Sequence, residues 1–233
     1  MKLHTLIAFV ASALALGPVF PAVAQRNEAG IVESAIEVFQ ALRAVPEKGI
    51  PDWMMKNTQG IAIIPGVTKA AFVVGGQYGS GVLVVKDAKG GWGSPIFITL
   101  KGGSVGWQIG VQSIDLVLFF RTKSSVDGVL EGGNFTLGVD VSVAAGSLGR
   151  AAGASTDTDL QAEIFSYSRS RGLFAGLMIA GVQLKMDEDA DAAYYGKPNI
   201  SAADIISGRG IRPPASAADL SDVLNKYTAS VGD

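Results

Sequence analysis

The chain predicts an α+β domain: curved antiparallel sheet or sheets, partly barrel-like or sandwiched, packed by N-terminal and C-terminal helices. Three observations carry that expectation. Apolar residues recur at helical spacing near both ends of the 233-residue chain. Between them lie short runs rich in Val, Ile and Phe, each punctuated by glycine, of which the chain has 30. Several of those runs are continuously apolar, the pattern of strands buried on both faces.

The first segment, residues 1–24, reads as a signal peptide. A short basic start (Met1-Lys2) leads to an apolar run through Leu6, Phe9, Val10, Leu14 and Leu16, and then to Ala22-Val23-Ala24. A basic start, a short apolar core and an A-x-A end are what signal peptidase reads. Cleavage is expected between Ala24 and Gln25. The expected address is periplasmic or secreted. The run is short for a membrane span, no cysteine follows that could carry a lipid anchor, and there is no twin-Arg pair.

Residues 25–233 are then expected to form one domain, with a helical region over 25–58, a β core over 60–186 and helices over 187–233. In the first region Ile31, Val32, Ala35, Ile36, Phe39 and Leu42 recur at helical spacing over 26–44, and Pro46 ends the run. A short second helix starts at Pro51 and runs to about Lys56.

From Gly60 the period shortens. Strand-length runs follow at 61–64, 70–74, 82–85, 96–100, 107–111, 114–120, 135–143, 164–167 and 174–184. Asp87-Ala88-Lys89-Gly90-Gly91 reads as a hairpin turn. Residues 123–130 read as a helix inserted between strands. The glycines inside strands predict bulges, sharp bends and close backbone crossings. Helices are expected over 187–195, 201–206 and 216–227, the last with Leu220, Val223, Leu224 and Tyr227 on one face.

Composition narrows the chemistry. The one histidine, His4, lies in the leader, and there is no cysteine. Without either, the exported part lacks the residues that do most nucleophilic, proton-shuttling and metal-binding work near neutral pH. No catalytic residue, metal site or cofactor is assigned. Losing Lys2 with the leader leaves 18 basic against 21 acidic residues, a net charge near −3, which argues against nucleic acid as a partner. Hydrophobic residues are 48% and charged residues 17% of the chain, a balance suited to a large buried core.

The short motifs fail on inspection. Gly102-Gly103-Ser104-Val105-Gly106 matches the G-x-S-x-G nucleophile elbow, but no His remains to act as base. Asp187-Glu188-Asp189-Ala190-Asp191 opens like a calcium loop, but Ala192 stands where the turn glycine belongs and Pro198 where the closing Glu belongs. An acidic helix start that complements the dipole is the better reading. No phosphate-binding glycine loop is present.

Specific stretches resemble the SYLF domain family, lipid-binding modules also described as the actin-binding domain of yeast Las17-binding proteins. They are residues 60–65 (Gly-Ile-Ala-Ile-Ile-Pro), 69–76, Gly90-Gly91-Trp92, 102–110, 140–146 with Gly149-Arg150, 164–176 and Tyr194-Tyr195-Gly196. The resemblance implies non-enzymatic binding of anionic phospholipid at a membrane surface, phosphoinositides in eukaryotic members, aided by the N-terminal helical region. Lys69, Arg169 and Arg171 fall inside the matching stretches.

The expected mechanism joins that resemblance to the helix pattern. Arg43, Lys48, Lys56 and Lys69 attract lipid headgroups, and Ile31, Phe39 and Leu42 insert or line a groove. In the alternative, an envelope scaffold or stress protein binds another protein, the apolar stripe is core and the basic residues are a solvated face. A carboxylate-only hydrolase using Glu131 or Asp140 stands third. For an exported chain, actin is not an expected partner.

Overall fold

The computed structural model describes residues 27–44, 50–133, 135–145, 162–170 and 180–229, with backbone alone for 70–74, 104–112, 145 and 170. The expected leader, Lys48, Arg150 and Arg171 lie outside the described residues.

Helix α1 (Glu28–Arg43) forms where the apolar period predicts it. The Asn27 side chain caps it by accepting the Gly30 N–H at 3.0 Å, and Glu28 sits in the dipole-complementing first turn. Val32, Ala35, Val38, Phe39 and Leu42 are buried along one face, each large side chain contributing about 1.5–3 kcal/mol. Helix α2 (Asp52–Asn57) follows Pro51.

Strands β1 (Gly60–Val85) and β2 (Ile96–Phe120) merge the separate apolar runs into two long strands. They pair antiparallel from Gly60–Phe120 to Leu83–Ile96, and the Asp87–Gly91 segment turns between them. The glycines that suggested strand ends are strand residues that let the ribbon bend. Bending brings β1 back against itself. A Cβ placed on Gly81 would lie 2.3 Å from the Ile63 carbonyl oxygen and 2.7 Å from Ile64 Cα. Only glycine fits there, and the expected close backbone crossing is this one.

Helix α3 (Lys123–Leu130) follows β2, capped by the Thr122 side chain. The run at 135–143 divides into β3 (Phe135–Leu137) and β4 (Val143–Ala145), because Gly138, at φ +76°, opens a turn. Strands β5 (Ile164–Ser170) and β6 (Val182–Met186) both pair antiparallel with β2. From Ile114–Ser170 to Lys101–Gln183 each partner advances thirteen residues, so the two ladders share one register. Strand β4 pairs with β5 in parallel, which makes the sheet, six-stranded among the described residues, mixed rather than wholly antiparallel. The fold is α+β, with the sheet flanked by the N-terminal and C-terminal helices.

Both faces of the sheet are buried. Ile61, Ile63, Val82, Val117, Phe119 and Phe165 meet the helical layer. Their strand neighbours Ala62, Ile64, Leu83, Leu116, Leu118 and Ile164 meet a second core under α3. This is the physical basis of the continuously apolar runs.

Helices α4 (Glu188–Tyr195), α5 (Ala202–Ser207) and α6 (Ala215–Ala229) close the chain. Asp187 caps α4 through the Ala190 N–H at 3.3 Å, as an acidic helix start should. Asn225 and Thr228 on α6 accept the backbone and indole N–H of Trp92 at 3.0 and 2.8 Å, which fastens the last helix to the base of the β1–β2 turn.

Candidate functional site

The second helix is short, and side-chain contacts hold it. Met54 and Met55 are fully buried. Lys86 donates from Nζ to the Met55 and Lys56 carbonyls at 2.8 and 3.2 Å, which supplies a cation at the helix C-terminus. Partial burial lowers the Lys86 pKa, and its ammonium lies 4.9 Å from the Trp92 ring centroid. Anchored this way, α2 presents Trp53 and Lys56, three residues apart and so neighbours on its surface. Trp53 is 42% exposed, with its ring edge-on to Phe165 at 5.9 Å.

Beside Lys56 opens a groove of about 550 Å³, lined by Lys56, Asn57, Gln59, Arg121, Thr122, Ala162 and Glu163. Its far wall is built where β2 hands over to α3. The Arg121 N–H donates to the Glu163 carbonyl at 2.8 Å, and Nη1 donates to the Ala162 carbonyl at 3.2 Å. The guanidinium stands over the Phe165 ring at 5.7 Å. Thr122 donates its hydroxyl to Glu163 at 2.8 Å. The result is an open, mostly polar cleft with two cations and one carboxylate, and the exposed Trp53 indole shares the Phe165 ring with Arg121.

The expected site residues separate in the structure. Lys56 lines the groove. Arg43 is turned inward: it pairs with Asp52 at 3.0 Å, donates to the Ile50 carbonyl and lies over the Tyr227 ring at 5.0 Å. Lys69 lies along β1 opposite Gln112 and does not line the groove. Phe39 and Leu42 are core residues, at 0% and 2% exposure, and Ile31 packs half-buried against the same core. The outward positions of α1 are instead acidic, with Glu33 and Glu37 exposed.

Trp53, Arg121 and Glu163 were not among the expected site residues. Arg121 carries a usable sequence signal, since it follows directly on the buried run Leu116–Phe120 and so marks the strand's emergence. The placement of Glu163 depends on β5 pairing with β2 and has no local signal.

Other candidates take structural roles. Gly102–Gly106 lies inside β2, not at a strand-to-helix elbow. Asp140 accepts the Thr136 N–H at 2.6 Å within a turn. Arg169 pairs with buried Asp115 at 2.9 Å. Among the described residues, no group of three or more His, Asp or Glu could hold a metal ion, and no helix is long and apolar enough to cross a membrane. A second groove of about 300 Å³ is lined by Tyr78, Lys101 and Lys185 but also by Asp187, Glu188 and Asp189.

An α+β module with a bent two-strand ribbon, a helical layer and a polar surface groove is thus defined. Residues 101–227, just over half the chain, match the family model described as Ysc84, Las17-binding protein actin regulator, and the chain belongs to that family. It is 37% identical over 201 residues to LAS seventeen-binding protein 3 of Saccharomyces cerevisiae, a match covering 85% of this chain and 43% of the yeast protein. It is 36% identical over 183 residues to the SH3 domain-containing YSC84-like protein 1 of Homo sapiens, covering 78% of this chain and 53% of the human protein. The chain spans about half the length of these relatives. The expectation that set actin aside is corrected here: the family description itself reads "Las17-binding protein actin regulator", and the yeast relative above is named a LAS seventeen-binding protein.

Proposed function

We propose that this chain is a non-enzymatic binding module for anionic phospholipid, acting at a membrane surface after export directed by residues 1–24. The observation that carries the reading is a groove lined by the Lys56 and Arg121 cations, with exposed Trp53 one turn before Lys56 on α2 and, like Arg121, against the Phe165 ring. Indole rings favour the boundary between headgroups and acyl chains. Each Lys or Arg near an anionic surface adds about 1 kcal/mol of attraction.

The electrostatics orient the module. Exposed Glu33 and Glu37 on α1, with Asp219 and Asp222 on α6, make the outer helical layer acidic. An anionic bilayer repels that layer, so the α2 end faces the lipid. Insertion of Phe39 and Leu42 would require α1 to leave the core and is not part of this reading.

Sedimentation with vesicles of graded anionic content tests it. Binding is expected to rise with anionic lipid and to weaken with salt. Binding independent of lipid charge would reject the reading.

The names of the relatives favour a second reading, in which the module binds a protein of the Las17 or actin-regulatory kind. Retention on immobilised Las17 or co-sedimentation with filamentous actin, without vesicle binding, would select it.

A further inference from the structure

We propose that the groove between α2 and the β2–α3 corner is a pocket for a singly phosphorylated polyol of glycerol-phosphate size, the headgroup chemistry of an anionic glycerophospholipid. This rests on the membrane reading above and gives it a ligand.

Size is the first argument. A groove of about 550 Å³ falls in the roughly 300–1,000 Å³ range of small-molecule sites and is far larger than one phosphate needs. The groove therefore has room for more than the anion.

The lining chemistry is the second. Lys56 has no ion-pair partner among the described residues, and its ammonium offers three donors. Arg121 adds a guanidinium held in place by the Ala162 carbonyl and the Phe165 ring, so little ordering is required when an anion arrives. Asn57 and Gln59 supply neutral polar groups suited to hydroxyls.

Glu163 decides the charge of the occupant. An ionised carboxylate only accepts hydrogen bonds, so it welcomes a hydroxyl and repels a second phosphate. The groove thus favours one phosphate with adjacent hydroxyls over a polyphosphate.

Calorimetric titration of the chain from residue 25 with glycerol phosphate, glycerol, inorganic phosphate and pyrophosphate tests this, beside sedimentation with phosphatidylglycerol and phosphatidylcholine vesicles. Glycerol phosphate is expected to bind more tightly than the other three. Lys56→Glu, at an exposed position, should weaken it about tenfold or more, the loss of one charge-assisted hydrogen bond. Glu163→Gln should selectively tighten pyrophosphate, an effect that a merely structural Glu163 would not produce. Lys89→Glu in the hairpin turn, at a residue that does not line the groove, should change neither.

Phosphatidylglycerol binding with no glycerol phosphate binding would overturn the pocket and leave the membrane reading standing. Glycerol phosphate binding without vesicle retention would support the pocket for a soluble ligand and overturn the membrane reading. Unchanged affinity in the folded Lys56→Glu variant would overturn the pocket.

Discussion

Arg169 on β5 holds Asp115 on β2 at 2.9 Å, and the other oxygen of Asp115 accepts the Gly66 N–H at 3.1 Å. One buried carboxylate thereby joins three strands: β5 through an ion pair, β2 through its own backbone and β1 at the bulge between Ile64 and Val67. The bulge needs that bond. Pro65 has no N–H to give the ladder, and Gly66, at φ +59°, turns its own N–H towards Asp115. Removing Arg169 leaves a carboxylate that is 5% exposed without its cation.

Arg169→Ala is therefore expected to destabilise the fold by about 1–3 kcal/mol, reduced from a fully buried pair because Arg169 is itself 37% exposed. A urea titration followed by circular dichroism reads the change. An unaltered midpoint would show that Asp115 is satisfied without the pair.

The crossing of β1 over itself gives a paired prediction at two glycines. At Gly81 an added methyl meets backbone on the opposite pass, which cannot move aside without opening the core around Ile63 and Ile64. Gly81→Ala should cost at least about 3 kcal/mol, the upper end of overpacking, or abolish folding. At Gly103, in the same ribbon, a Cβ meets nothing within 4 Å. Gly103→Ala should leave the thermal midpoint nearly unchanged. Equal effects at both sites would contradict the crossing.

Asp191 sets a pH dependence. Its side chain is fully buried where α4 meets the start of β2, and Oδ1 accepts the Phe97 N–H at 2.9 Å. Burial, opposed in part by that bond and reinforced by Asp187 and Glu188, raises its pKa to about 7. Its value in the unfolded chain is near 3.8. Between those values the folded protein holds a proton that the unfolded chain releases. Stability is therefore fully favoured below about pH 4, falls as pH rises towards 7 and levels off above it. Each pH unit across that interval removes about 1.4 kcal/mol, so the whole loss is a few kcal/mol. Asp191→Asn keeps an acceptor for Phe97 and cannot ionise, so its urea midpoint should change less between pH 5 and pH 8. A wild-type midpoint that rises over that interval would refute the assignment.

How much of this was legible in the sequence depends on how local each signal is. The helical periods of α1 and α6, the caps at Asp187 and Ser201 and the turn at Asp87–Gly91 are written in neighbouring residues, and each element formed where it was expected. The long strands were less legible. Glycine normally ends a strand, and only the partner strand shows that Gly75, Gly79 and Gly103 continue one. The parallel β4–β5 pair joins residues about twenty apart with no local signature. At the site, Lys56 was visible as a basic residue near a helix. Arg121 and Glu163 come together only through the pairing of β2 with β5, so the groove was not legible.

Phe39 and Trp53 separate the two ways in which this chain could meet a membrane. Both are aromatic, both lie in the helical region before the sheet, and their surroundings are opposite. Phe39 is 0% exposed and its ring lies 5.7 Å from that of Tyr227, so truncation opens a cavity between α1 and α6. Phe39→Ala should lower stability by about 3–5 kcal/mol, the usual cost of emptying a core phenylalanine. At temperatures where the variant stays folded, vesicle binding should be unchanged. Trp53 is 42% exposed and leans on Phe165 by one edge. Trp53→Ala should change the urea midpoint little and weaken vesicle binding several-fold, because the indole leaves the interface and the core does not. Parallel unfolding and sedimentation assays on the two variants check the contrast. The opposite pattern, with binding lost in folded Phe39→Ala and kept in Trp53→Ala, would mean that α1 undocks to reach the lipid and that the acidic residues Glu33 and Glu37 do not hold it away.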